Sequence, residues 1–173
     1  MDFDPGPGVA ARTSISEADG FLVRFQSNGD LRAALALGGQ GLLQGLRVLP
    51  LPDDAVVLTG WFSGAPDFDP GAGARIIASL GRAGASDAFV ARYDAGGGLA
   101  WVTRFGEATT VPDRSNSGAA LARDAAGNLL VGGRFFGTVD FDPGSRALRL
   151  TSLGASDGFL VLLTAQGALA TTP

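Results

Sequence analysis

Three six-residue runs, GFLVRF at 20–25, AFVARY at 88–93 and GFLVLL at 158–163, are apolar or aromatic over nearly their whole length. Runs of this length, bounded by Gly, Asp and Asn, are strand-like. Turn-plus-strand stretches follow the first two, NGDLRAALAL (28–37) and GGGLAWVTRF (96–105). Asn28-Gly29 and Gly96-Gly97-Gly98 supply the positive φ that tight hairpins need. A second kind of hairpin reads AALARD, AAGN, LLVGGRFF across 119–136. The pattern predicts strands at 20–25, 31–37, 45–50, 56–63, 88–93, 99–105, 118–123, 129–136, 158–163 and 168–171. They group as four strands per unit, in two hairpins. Helix is not expected, because Gly interrupts every long window and no apolar stripe keeps a 3.6 period.

Within GFLVRF, Phe21, Val23 and Phe25 point one way and Leu22 the other. A sheet wet on one side alternates more cleanly. These strands are therefore expected in sheets covered on both faces, each sheet packed between neighbours.

The units repeat. DFDPG starts at 2, 67 and 140, and the likeness runs on through DFDPGPGVAARTSISEADGFLVRF (2–25), DFDPGAGARIIASLGRAGASDAFVARY (67–93) and DFDPGSRALRLTSLGASDGFLVLL (140–163). A preceding half-unit repeats as well, with Gly60-Trp61-Phe62 matched by Gly133-Arg134-Phe135. Loops vary in length while the cores do not, as for one supersecondary unit copied in series. Phe21, Phe89 and Phe159 should be buried at equivalent places, as should Phe68 and Phe141. The Gly-rich stretches 38–45 and 71–76 read as linkers between strands, since neither completes a phosphate-binding G-x-G-x-x-G nor opens a helix.

The combined pattern, G-x-F-x-G-x-x-DFDPG, then S-D-x-F, then D-x-x-G-N, resembles the bacterial β-propeller repeat of the SBBP type over almost the whole chain. The resemblance implies an all-β fold of four-stranded antiparallel blades and a place in large secreted or cell-surface bacterial proteins. The expected partition is a half blade at 1–44, a blade at 45–106 and a blade at 107–173. Leu51-Pro52-Asp53-Asp54, where the later copy has Ala-Ala-Gly-Asn, marks a departure from the pattern. Closed propellers have about 4–8 blades, so about two and a half make an open arc and not a ring. The chain opens mid-motif, and the expectation is a piece of something longer, completed by further blades or by copies of itself. Bare end faces would promote association.

Composition narrows the partners. The formal net charge is −4, and the 13 basic residues are all arginines, scattered singly. Nucleic-acid binding needs a positive face, and none is expected here. With no run of about 18 apolar residues, no membrane-spanning helix is expected. There is no Cys and no His, which removes disulfides, thiolate sites and the commonest general base and metal ligand.

Candidate chemistry is sparse. Asp67 and Asp69, like Asp140 and Asp142, could pair around Ca²⁺, but Gly71 stands where a calcium loop wants its third ligand. The favoured reading is a strand-ending turn, with the Asp accepting backbone N–H groups. GASDG (154–158) matches the nucleophile-elbow pattern around Ser156, yet no His exists to serve it. Asp87 and Asp157 read as turn residues entering a strand. Trp61 and Trp101 could be sugar-stacking platforms but read more naturally as core. No catalytic, cofactor or metal residue is assigned. The most polar and least repeated stretch, EATTVPDRSNS at 107–117, is the place expected to meet a protein or glycan ligand. The function expected is a non-catalytic binding or scaffold surface of a secreted or cell-surface protein. The alternative is the non-catalytic part of a secreted polysaccharide-active or other enzyme.

Overall fold

The structure, a computed structural model, describes residues 1–81, 84–109 and 114–170. These residues form strands and turns and no helix. In chain order the strands are β1 (Gly20–Phe25), β2 (Leu31–Pro50), β3 (Val56–Asp67), β4 (Asp87–Tyr93), β5 (Leu99–Phe105), β6 (Ser117–Arg123), β7 (Leu129–Phe135), β8 (Thr138–Asp140), β9 (Arg149–Thr151) and β10 (Asp157–Leu163). All ladders are antiparallel. They make a sheet of order β1-β2-β3-β4-β5, a sheet of order β10-β7-β6 and a small ribbon of β8 and β9. The sheets do not close on one another. The expected strand 168–171 extends past the described residues; within them Leu169 bridges Leu163.

The largest departure from expectation is β2. Separate strands at 31–37 and 45–50, with a Gly-rich linker between, are instead one strand of 20 residues. It pairs with β1 from Leu31 to Leu37 and with β3 from Gly38 to Pro50. The glycines at 38–45 do not end a strand. They let two backbones come unusually close: Gly39 and Gly41 have φ of 132° and 134°, and a Cβ on Gly41 would strike the Ser63 carbonyl. The β8–β9 ribbon was not expected either, because its strands are only three residues long.

The hairpin turns follow one design. Gly127, at φ 92°, donates its N–H to Asp124 between β6 and β7. Between β2 and β3 the equivalent place is held by Asp54 at φ 64°, whose N–H reaches Leu51. Asp tolerates this left-handed conformation better than most residues. The departure Leu51–Asp54 thus keeps the turn.

Packing explains why the middle strands are apolar on both faces. Val57, Ala88 and Val90 pack against Leu129, Val131, Phe135, Phe159, Val161 and Leu163 of the β10-β7-β6 sheet. From the opposite face, Leu58, Phe62, Phe89, Ala91 and Tyr93 pack against Leu22, Leu37 and Leu43 of β1 and β2. Phe68 and Phe141 are buried as expected. Phe89 and Phe159 are 0% and 7% exposed, but Phe21 is 58% exposed, against expectation. The reason is positional: Phe21 lies on the outward face of β1, where among the described residues no further sheet covers it.

Candidate functional site

The DFDPG carboxylates, candidate metal ligands, are engaged by backbone N–H groups of their own loops. Asp67 Oδ1 accepts the N–H groups of Asp69 at 2.9 Å and Arg75 at 2.7 Å, and Asp69 accepts that of Gly71 at 2.8 Å. Asp140 does the same with Asp142 and Leu148, and Asp142 with Gly144. Asp2 repeats it with Asp4 and Ala10, and Asp4 with Gly6. Each pair staples a loop. The N–H groups of Asp142 and Leu148 hold the Asp140 carboxyl below its ordinary range, and those of Ala10 and Asp4 do so for Asp2. Among the described residues no three acidic side chains converge as a metal site would require.

The Asp at the start of β1, β4 and β10 is also a staple. Asp19 accepts the Ile15 N–H and the Ser16 hydroxyl, Asp87 the Leu80 N–H, and Asp157 the Leu153 N–H. Of these, Asp87 is fully enclosed between sheets. Burial pushes its carboxyl up to about 6, against the pull of the Leu80 N–H and of the Arg104 guanidinium 3.7 Å away. Ser156, the elbow candidate, is exposed in the loop before β10.

The two tryptophans part company. Trp101 packs against the inter-sheet core and donates its indole N–H to the Ala165 carbonyl at 3.1 Å. Trp61 is half-buried and lines an open cleft of about 430 Å³ between the two large sheets. Leu42 and Leu46 of β2 and Ser63 of β3 flank it; Ser86, Ser115, Ser117 and Arg134 face it. Backbone bonds set this wall: Ser86 donates its N–H to Arg114, Asn116 donates its own back to Ser86, and the Asn116 side chain accepts the Phe136 N–H at 2.8 Å. Arg134 is exposed, lies over the Phe136 ring at 5.9 Å, and has no carboxylate within ion-pair distance among the described residues.

Ser115 and Ser117 belong to the polar stretch 107–117, so that stretch and Trp61, distant in sequence, meet in one cleft. Residues 110–113 of it lie outside the described residues. An indole, several hydroxyls and a guanidinium make a surface that can stack on a ring and exchange hydrogen bonds with neutral hydroxyls or a carboxylate. Nothing in this set is an activated nucleophile with a base beside it. The sequence singles out the stretch 107–117 and favours Trp61 as core, whereas Trp61 lines the cleft half-buried; it gives no sign of Arg134, whose partner in the repeat is Trp61 itself.

No protein-family model matches this sequence, and no curated protein matches it either. No helix is long and apolar enough to cross a membrane, among the described residues.

Proposed function

We propose that this chain is a non-catalytic β-propeller repeat segment that acts as a binding or scaffold surface of a larger secreted or cell-surface bacterial protein. The observation that carries the reading is a register that recurs residue for residue. Phe62 pairs with Asp87 and Gly60 with Phe89, just as Phe135 pairs with Asp157 and Gly133 with Phe159. The later half of β2 with β3, β4 and β5 makes one blade, β6 with β7, β10 and the segment at Leu169 the next, and β1 with the first part of β2 a half blade. Stacked blades account for the two-faced burial of the middle sheet. The Trp61–Arg134 cleft, at the junction of two blades, is the ligand surface, and a glycan or a carboxylate-bearing peptide suits its chemistry.

The test is a glycan array and a pull-down with the intact protein beside Trp61→Ala and Arg134→Ala. Loss of a captured ligand in both variants, with unchanged circular dichroism, supports the reading. A hydrolase or lyase activity that maps to residues of this chain overturns it.

A further inference from the structure

Phe62, Phe68 and Phe89 form a closed triad, with ring centroids 5.2, 6.3 and 5.1 Å apart. Phe135, Phe141 and Phe159 repeat it at 5.3, 6.5 and 4.8 Å. In each triad one ring comes from a DFDPG loop, one from the strand after the S-D pair, and one from the strand that pairs with it. At the N-terminal end the first two are present: Phe3 and Phe21 stand 4.9 Å apart. Among the described residues no third ring joins them, and beside them lies a groove of about 370 Å³. Nor does any strand of the described residues lie along that edge of β1. β4 pairs with both β3 and β5, and β7 covers the equivalent edge of β10, whereas β1 pairs with β2 alone among the described residues.

We propose that the open edge of β1 captures an extended peptide strand bearing Gly-x-Phe, with its Gly opposite Phe21 and its Phe opposite Asp19. The inference rests on the repeat reading above and adds a partner of defined chemistry. Its argument is internal precedent, since the same edge is filled twice in this molecule by strands of that pattern in that register. The main chain supplies a ladder along Gly20–Phe25, as in β-strand addition to a sheet edge. The Phe completes a triad with Phe3 and Phe21. Both strands that fill this edge carry Gly at that place: a Cβ on Gly133 would strike the Ser117 carbonyl and come within 2.6 Å of the Phe159 ring, and one on Gly60 would strike the Gln44 carbonyl. The exposed Phe21 is the recognition surface.

The experiment uses the full chain and a labelled synthetic peptide with the sequence of residues 128–137, NLLVGGRFFG. Fluorescence anisotropy reads the affinity, and hydrogen exchange locates the site. Saturable binding is expected, with slowed exchange confined to 19–25. Phe135→Ala in the peptide, and Phe21→Ala in the protein, should each weaken binding at least ~10-fold, as loss of a buried aromatic anchor does. Equal affinity for a scrambled peptide, protection at the β5 or β6 edge instead, or no binding at millimolar peptide overturns the proposal. A dimer in sedimentation whose 20–25 amides are already protected, and which the peptide leaves unchanged, gives this edge to a second copy and overturns it as well. Failure here leaves ligand capture at Trp61 untouched, and failure there leaves this titration interpretable.

Discussion

Replacing Phe89 by Ala removes a ring that is wholly out of water and that touches Phe62 and Phe68 edge-on. A Phe buries about 150–250 Å². At about 25 cal/mol per Å² the transfer term is roughly 4–6 kcal/mol, less what the retained Cβ keeps. A cavity enclosed by two other rings and by side chains of β1, β2 and β3 cannot collapse easily, so the loss should be about 3–5 kcal/mol. That is a large part of a total stability of about 5–15 kcal/mol. The matched substitution Phe21→Ala is the internal control. Phe21 is 58% exposed and has one ring neighbour, Phe3. Less than half of its surface leaves water on folding, so its loss should stay below about 2 kcal/mol. Urea unfolding followed by far-ultraviolet circular dichroism and by the fluorescence of Trp61 and Trp101 measures both, with the m-value expected to hold. A Phe21 variant as damaged as the Phe89 variant, or a Phe89 variant within about 1 kcal/mol of the parent, would refute the assignment of the two faces.

Other expectations follow from the same contacts. Asp87 is held at about 6 by burial, above its ordinary 3.8, so the folded state keeps this proton more firmly than the unfolded chain. Its contribution to stability is therefore present at acid pH and is lost as pH rises from about 4 to about 6, then levels off; Asp87→Asn should flatten that slope in urea midpoints, and an unchanged slope would contradict it. Chelator should leave the melting temperature where it is, because the DFDPG carboxylates are already occupied by backbone N–H groups; a drop abolished by Asp69→Asn together with Asp142→Asn would instead reveal bound calcium. Gly133→Ala should cost about 1–3 kcal/mol by forcing a methyl against the Ser117 carbonyl of β6 and the Phe159 ring of β10, read by thermal melting; a neutral result would mean that β7 does not approach β6 and β10 in this register.

Much of this fold was legible because its signals are local. The six-residue apolar runs became β1, β4 and β10, and the two-sided greasiness of AFVARY became a sheet covered on both faces. The turn role of each DFDPG aspartate was legible for the same reason: the carboxylate reaches N–H groups two and eight residues ahead in its own loop. What failed was non-local. Phe21 has the same neighbours in sequence as Phe159, yet its exposure is decided by whether another strand and sheet lie beside it. Gly38–Gly41 looked like a break because glycine usually weakens strands; here it permits a close approach to β3 that no single-strand pattern reveals. The Trp61 cleft joins four strands and two loop segments, and only the three-dimensional pairing of Ser86 with Ser115 brings the hydroxyls to the indole.

The unbroken β2 sets a rule for how this chain can change length. Its two parts, one paired with β1 and one with β3, share a single pleat, so the stretch from Leu37 to Leu43 is counted in twos. One residue gained or lost there reverses which side every later residue of β2 presents, turning Leu43 out of the core. β5 and β6, by contrast, belong to different sheets and share no pleat. Insertions should be purged from 38–43 and better tolerated between β5 and β6. The same protein therefore has one joint that works as a ruler and one that works as a sleeve.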